Sequence, residues 1–296
     1  MTNPTDFGDL IQPFQVEDLG VRGRIVRLSA ALAGILPAGR YPDSVADLVA
    51  ATTALGAALA GGLKYDGVFT LQAQGNGPVS LLFSDMTSDG DLRAYARFDA
   101  DAIAALGDTD GGMVPRLLGA GHLAFTVDQG DDMDRYQGIT ELTGATLADC
   151  AQTYFRQSEQ LETAIILEAE RDSGGALRAA AFVVQKMPGT GSKDDEAWRE
   201  AVILSSTLSK AELMDAALSP MQVLYRLFHE RGVRVFDHRP LRHACRCSRD
   251  KVARMLASFP RDEVTSMQDN GVVSVSCEFC DAVYDFHDKD MEIIFG

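Results

Sequence analysis

The sequence has little positive charge. It contains 27 lysines and arginines against 43 aspartates and glutamates, which gives a formal net charge of −16. Nucleic-acid binding requires an excess of positive charge against the phosphates, so we expect no nucleic-acid partner. The sequence also lacks the Gly-rich loop followed by Lys-Ser or Lys-Thr that binds nucleotide phosphates, so we expect no nucleotide partner.

Long apolar runs are also missing. The nearest approach to a membrane-spanning segment, residues 46–63, is interrupted by Asp47, and its small residues suit a packed helix. The first fifteen residues are polar and acidic and lack the apolar core of a secretory signal. We therefore expect a cytoplasmic protein with no membrane partner, in a reducing compartment where thiols stay free.

Cysteine is scarce, but four of the five cysteines lie close together near the C-terminus. Cys245 and Cys247 form a C-x-C pair, and Cys277 and Cys280 form a C-x-x-C pair. Paired cysteines in a non-secreted chain indicate metal or redox chemistry more often than a structural disulfide. Four thiolates can surround one ion tetrahedrally, and sulfur ligands favour zinc over magnesium or calcium. The pattern therefore predicts a zinc site.

A local basic cluster surrounds the first cysteine pair. Two interpretations stay open: nearby cations stabilise the thiolates, or the cluster is a solvated face of an acidic protein. Its members are Arg231, Arg234, Arg239, Arg242, Arg246, Arg249 and Lys251.

Two other features have structural interpretations. Cys150 stands alone in an apolar context, which indicates a small buried side chain. The acidic segment 128–134 lacks the twelve-residue loop with a terminal glutamate that is typical of calcium sites, so we interpret it as a solvated loop.

The first part of the chain predicts an α+β domain over residues 1–186. Residues 1–20 are expected to form a loose tail. Short apolar segments separated by turn residues predict an antiparallel sheet, and a run rich in alanine and glycine predicts a packed helix. The expected strands are 21–28, 67–74, 78–84, 92–98, 121–127, 135–140, 164–170 and 177–185, and the expected helices are 44–61 and 147–160.

The remainder divides into a linker over residues 187–232 and a C-terminal unit over 233–296. Residues 195–230 are predicted to be helical, with an apolar strip that we expect to lie on the first domain. The C-terminal unit is predicted to contain helices over 250–257 and 262–268 and strands over 272–276 and 283–286. Ser248 directly follows Cys247 and can cap the first of these helices.

With these residues in view, almost the whole chain resembles the heat shock protein 33 (Hsp33) family of redox-regulated chaperones. The most specific likeness is C-x-C-S over 245–248 followed by C-x-x-C over 277–280, with Tyr284 and Phe286 downstream. The segments Tyr154–Gln160 and 126–138 are also similar to the family's. One departure is the sequence Leu-Glu-Thr over 161–163, where the family usually has a proline before the threonine, and it leaves the local turn open.

The resemblance implies a fold and a mechanism. The implied fold is α+β: a first domain with a mainly antiparallel sheet and helices, a helical linker folded on that sheet, and a small four-cysteine zinc domain. In the reduced state Cys245, Cys247, Cys277 and Cys280 would bind one Zn²⁺, and the chaperone would be inactive. Oxidation would form the disulfides Cys245–Cys247 and Cys277–Cys280 and release the metal.

The active form implied by the resemblance, often a homodimer, binds unfolding client proteins without ATP, and the protein is not an enzyme. The apolar strip of the linker would then become client-binding surface. The strip residues assigned to this role are Trp198, Leu204, Leu208, Leu213, Met214, Leu224 and Phe228.

Three alternatives rest on the same cysteines. A thiol–disulfide oxidoreductase would place C-x-x-C at a helix start in a βαβ setting, whereas here it lies between two short predicted strands. A zinc hydrolase would need an open ligand position and a nearby base; His243 and His287 are the close histidines, and we expect both to be surface residues. A zinc-ribbon nucleic-acid module with a purely structural zinc is opposed by the net charge.

Overall fold

The computed structural model describes residues 7–107, 112–130, 133–188 and 193–296, the side chains of 193 and 194 excepted. The chain divides into two compact units, Met1–His243 and Ala244–Gly296. The predicted start of the C-terminal unit, residue 233, precedes this division because residues 233–243 pair with strands of the first unit. The three-part functional division of the chain stays a prediction.

The described chain contains runs of strands separated by one or more helices. The strands are β1 (Leu10–Val16), β2 (Val21–Leu28), β3 (Val68–Gly75), β4 (Val79–Thr87), β5 (Asp91–Phe98), β6 (Gly121–Asp128), β7 (Tyr136–Glu141), β8 (Thr163–Arg171), β9 (Leu177–Lys186), β10 (Val233–Val235), β11 (Arg239–Pro240), β12 (Arg242–His243), β13 (Val272–Ser276) and β14 (Val283–His287). The helices are α1 (Ala30–Ile35), α2 (Asp43–Ala60), α3 (Ala100–Ala105), α4 (Leu147–Ser158), α5 (Lys193–Ser206), α6 (Lys210–Met214), α7 (Pro220–Phe228), α8 (Arg249–Leu256), α9 (Arg261–Ser266) and α10 (Asp288–Phe295).

Two six-stranded sheets form the first unit. The first sheet has the order β10-β1-β2-β9-β8, with β11 also paired to β1, and all its pairs are antiparallel. The second sheet has the order β12-β5-β4-β3-β6-β7 and is antiparallel except for the pair of β12 with β5. The predicted α+β class with a mainly antiparallel sheet is confirmed.

Helix α2 lies at the centre of the first unit and contacts strands of both sheets. By length and composition alone it could cross a membrane, but 83% of it is buried, as in the core helix of a globular unit. Its alanines and glycines allow this close approach, since a Cβ on Gly56 would lie 3.2 Å from the Ser84 hydroxyl. The prediction of a packed helix is therefore confirmed.

The first sheet is buried on both faces. In β2, Val26 and Leu28 belong to the core around α2, whereas Val21 and Ile25 face a second core formed with the linker helices. Sheets covered on both sides have nearly continuous apolar strands, which explains why most residues of β2 and β9 are buried.

The predicted loose tail is wrong for the described part of residues 1–20. Residues Leu10–Val16 form β1, and Phe14 is buried between Phe182 and Phe228, with ring centroids 5.7 and 5.9 Å away. Proline has no N–H to give to a ladder, and Pro13 lies in the gap between the residues paired with β10 and those paired with β11. Pro13 therefore lies where the pairing of β1 with β10 and β11 is interrupted.

The second unit is small. Strands β13 and β14 form an antiparallel hairpin, and β13 begins and ends at the predicted residues. Helix α8 begins after Ser248, whose hydroxyl accepts the Lys251 N–H as predicted. Helix α10 was not predicted. The core of residues 244–296, all of which are described, contains the buried residues Leu256, Val264, Val273, Phe286 and Met291.

Candidate metal centre

The four clustered cysteines come together in the second unit. Their sulfur atoms all lie within 4.8 Å of one another, and all four side chains are half-buried. The Cys245 and Cys277 sulfurs are 3.7 Å apart, and those of Cys247 and Cys280 are 3.4 Å apart. Each sulfur of the C-x-C pair therefore lies next to a sulfur of the C-x-x-C pair, and the four form a single cluster.

Local structure positions each cysteine pair. Cys247 immediately precedes Ser248, the capping residue of α8, and so adjoins the helix N-terminus, which carries partial positive charge. Cys277 and Cys280 lie on the turn between β13 and β14. In this turn the Asp281 N–H donates to the Cys277 carbonyl at 2.9 Å, and Asp281 adopts a left-handed conformation with φ of 57°.

Tyr284 is the side chain that acts directly on the thiols. Its hydroxyl donates to the Cys247 sulfur at 3.0 Å. Burial raises the pKa of Cys247, but the hydrogen bonds from Tyr284 and from the other three cysteines outweigh it and bring the pKa to about 7. Burial raises the pKa of Cys280, and its thiol neighbours raise it further, to about 12. The cluster therefore favours a thiolate at Cys247 first.

The donor set fits a thiophilic metal ion. Four sulfurs each about 2.3 Å from one ion would be separated by about 3.8 Å in a tetrahedron, close to the 3.7 and 3.4 Å found across the two pairs. The residues present could therefore hold one metal ion, as the sequence predicts.

The basic cluster is dispersed in the structure. Arg231 pairs with Glu200, Arg242 pairs with Asp91, and Arg249 pairs with Asp290. Burial, Tyr284 and the neighbouring thiols are the leading causes of the shifted pKa of Cys247. Of the two interpretations of the cluster, these contacts favour a set of separate surface ion pairs.

The remaining cysteine and the histidines lie apart from the centre. Cys150 is fully buried in α4, as predicted for a small side chain in an apolar context. His287 is exposed at the start of α10, as predicted. His243 was predicted to be a surface residue, and this is wrong in part: it is only half-exposed, and its Nε2 atom is buried. The reason is that its ring packs against Gly34.

The predicted apolar strip of the linker is buried against the first sheet. Helices α5, α6 and α7 share one core with Phe14, Val21 and Phe182. The members of the strip that are at least 90% buried are Leu208, Leu213, Met214, Leu224 and Phe228, and those partly buried are Trp198 and Leu204. The expected packing on the first domain is confirmed, and client binding by this strip stays a prediction.

The family-like segments of the first unit form a polar group. The Tyr136 and Tyr154 hydroxyls both donate to the Glu159 carboxylate, the latter at 2.6 Å, and lie 2.9 Å from each other. Gly138 allows this approach, because a Cβ there would lie 1.9 Å from the Tyr154 hydroxyl. Just before the departure at residues 161–163, Gln160 adopts a φ of 52°, and β8 begins at Thr163.

Parts of three predicted features fall outside the described residues, and the first is positions 1–6 of the predicted tail. The other two are positions 131 and 132 of the acidic segment and positions 189–192 of the linker. Of the acidic segment, Asp128 is described and pairs with Arg135 at 2.6 Å.

Comparison with known proteins gives consistent likenesses. A family model described as Hsp33 protein matches residues 9–287. A 33 kDa chaperonin of Caulobacter vibrioides is 41% identical over 285 residues, which cover 93% of this chain and 94% of that protein. A 33 kDa chaperonin of Azotobacter vinelandii is 36% identical over 298 residues, which cover 99% of this chain and 96% of that protein. The crystal structure of a Thermotoga maritima 33 kDa chaperonin, a heat shock protein 33 homolog, has the same fold: its TM-score is 0.82 over 97% of both chains, at 22% identity.

Proposed function

This chain belongs to the Hsp33 family, and we propose that it is a redox-regulated chaperone that holds unfolding proteins without ATP. In this proposal it is a cytoplasmic protein and not an enzyme. Residues 1–186 bind clients and dimerise, residues 187–232 form a movable linker, and residues 233–296 sense the oxidant. The names of the relatives, 33 kDa chaperonin, support the chaperone part of the proposal.

The inactive state depends on the reduced thiols. Cys245, Cys247, Cys277 and Cys280 bind one Zn²⁺, which supplies a cross-link within the second unit. A closed site of this kind contributes on the order of 10 kcal/mol to the folding of a small domain. The core of the second unit has five buried apolar residues, so its folding depends on this cross-link.

Oxidation removes the ligands. Two thiolates transfer two electrons to one peroxide, which takes up two protons and leaves as two waters, while the sulfurs form one disulfide. The thiolate favoured at Cys247 is the nucleophile expected to react first. The proposed disulfides are Cys245–Cys247 and Cys277–Cys280, and because C-x-C rings are strained the first is readily reduced again.

The linker is the second movable element. In the reduced protein its apolar strip is buried on the first sheet. Release of the strip, including Leu213, Leu224 and Phe228, would expose a contiguous apolar surface of the kind that binds unfolded chains.

One observation carries the proposal: four cysteine sulfurs lie within 4.8 Å of one another in a unit that has only a small core of its own. Such a unit is stable while the thiols bind a metal ion, and oxidation of the same thiols destabilises it.

The test is light scattering from a thermally aggregating protein, with this chain added either reduced and zinc-loaded or oxidised by peroxide at warm temperature. A zinc-sensitive dye follows metal release, peptide mapping locates the disulfides, and size-exclusion chromatography with light scattering reports the dimer. We expect suppression of aggregation only after oxidation and in step with zinc loss. Equal suppression in both states, or zinc retained under oxidation, would show that the cysteines only bind a structural metal ion and do not regulate activity.

A further inference from the structure

The first unit contains a cavity of about 480 Å³ whose walls are mainly apolar. This volume is within the usual range for small-molecule sites. Apolar walls come from Leu59, Phe69, Phe125, Val127, Phe155 and Leu161. All of its lining residues lie in the first unit, in α2, the two sheets, α4 and the segments that follow them.

A buried cation lines this cavity. Arg24 is 4% exposed, and its Nη2 donates to the Gln185 side-chain oxygen at 3.0 Å. Its Nε is buried and has no hydrogen-bond partner among the described residues. Burial, and then the charge of Arg22, lowers the pKa of Arg24 to about 9. Burial of a charged guanidinium destabilises the folded protein unless an anion pairs with it.

The backbone at the end of α2 fixes the position of the Arg24 guanidinium. A Cβ on Gly62 would lie 2.2 Å from Arg24 Nη1, so the side chain lies directly against the backbone that follows α2. The C-terminal end of a helix carries partial negative charge, which favours a cation there but leaves the Nε donor free. Arg22, two residues earlier on the same face of β2, also lines the cavity.

The acidic residue in the cavity wall has other partners. Glu159 accepts hydrogen bonds from the Tyr136 and Tyr154 hydroxyls. Burial and the bond to Glu159 raise the pKa of Tyr154, which keeps its proton and remains a donor. Among the described residues no carboxylate pairs with Arg24, and the neighbouring charge that shifts its pKa is the positive charge of Arg22. The cavity therefore combines apolar walls with an uncompensated cation.

We propose that this cavity binds a small monocarboxylate with an apolar body, of the medium-chain fatty acid class. The carboxylate accepts hydrogen bonds from Arg24, and the apolar chain contacts Phe69, Phe125 and Val127. Charge-assisted hydrogen bonds fix the head group, and burial of the chain supplies most of the affinity. This site is separate from the cysteine cluster and does not depend on the redox proposal.

The test is isothermal titration calorimetry of the full-length, reduced protein with octanoate and, in parallel, with 1-octanol. We expect octanoate to bind with a stoichiometry of one and at least about tenfold more tightly than octanol, because only the acid pairs with the guanidinium. Arg24→Gln should weaken octanoate binding by about tenfold or more and leave octanol binding unchanged. Arg234→Gln, which removes an exposed charge paired with Glu17, is the matched control and should bind octanoate normally.

A second variant keeps the test decisive if Arg24→Gln does not fold. Leu161→Trp places a larger side chain at a half-buried wall position and should reduce the binding of both ligands by filling the cavity. Octanoate and octanol binding equally well, or octanoate binding that neither variant weakens, would overturn the proposal.

Discussion

Arg27 donates a hydrogen bond from Nη1 to the carbonyl oxygen of Leu218 at 2.6 Å, and so joins the first sheet to the linker between α6 and α7. A second bond runs from Nη2 to the Leu213 carbonyl at 3.0 Å. Arg27 is 1% exposed, and its guanidinium lies 4.9 Å from the Phe7 ring centroid. The linker is therefore fastened to the sheet by a buried charge as well as by apolar packing.

Replacing this charge should loosen the linker. Arg27→Met leaves two carbonyls without their donor, and we expect the free energy of local linker opening to fall by about 1–3 kcal/mol. Hydrogen exchange of residues 210–228 measures this opening. Arg226→Gln is the control on α7, because its bond to Glu212 is largely exposed and should contribute little. Unchanged exchange in Arg27→Met would show that apolar packing alone holds the linker.

The apolar contacts of the same interface give a second prediction. Phe228 is 1% exposed and stacks on Phe14, so Phe228→Ala should destabilise the docked linker by about 3–5 kcal/mol. We expect this variant to suppress aggregation even when it is reduced and zinc-loaded. Tyr225→Ala, on the exposed side of the same helix, should stay inactive until oxidised.

Loss of one ligand should unfold the second unit. In Cys277→Ser the remaining three thiols no longer form the four-sulfur set, and most of the roughly 10 kcal/mol of metal-coupled folding energy is lost. Limited proteolysis should then cut within residues 244–296 and spare the first unit. Protection equal to that of the zinc-loaded wild type would contradict the dependence on metal.

Tyr284 should tune the cluster without being a ligand. Tyr284→Phe removes the hydroxyl that donates to Cys247. We expect the pKa of Cys247 to rise and the zinc affinity to fall by about tenfold, as is typical when a partner of a metal ligand is lost. Competition with a chromophoric chelator measures the affinity, and Tyr225→Phe, which changes an exposed tyrosine of the first unit, is the control.

Cys150 should not react with the oxidant and should take no part in the redox switch. Burial, and then the charge of Asp149, raises its pKa to about 11, so the thiol remains protonated and unreactive at neutral pH. Because the folded pKa exceeds the ordinary value of 9.0, this group's contribution to stability is complete below pH 9 and is lost as the pH rises towards 11.

Alkylation measures this difference. In protein stripped of metal at pH 8, with the first unit still folded, iodoacetamide should modify the clustered cysteines and spare Cys150. Cys150→Ala should keep the oxidation-dependent activity and should flatten the fall in stability between pH 9 and 11. Fast labelling of Cys150 in the folded protein would show that it is accessible.

The parts of the fold that could be predicted have a local signal. Helix α2 has its stop signal at Gly61-Gly62, and β3 to β5 are separated by turn residues. The cysteine cluster could be predicted because metal ligation restricts both the residue type and the spacing. In contrast, β11 and β12 contain two residues each and exist only through pairing with β1 and β5.

The charged residues of β2 show a feature of the fold that could not be predicted from the sequence. Arg24 and Arg27 lie three positions apart and therefore on opposite faces of β2, and although arginine is ordinarily exposed, both are almost fully buried. Periodicity indicates which residues share a face, but it does not tell whether the second face is covered. Here α2 covers one face of the first sheet and the linker helices cover the other.

The pairing of β10 with β1 makes the linker a loop that is closed at both ends. It leaves the first sheet after β9, at Lys186, and rejoins it at Val233. A segment released between two fixed ends stays at a high effective concentration near its binding surface, and the entropy cost of closing the loop grows only slowly with its length. While β10 remains paired, return of the linker is an intramolecular step whose rate does not depend on protein concentration. The resting state can then be restored in the presence of excess unfolded protein.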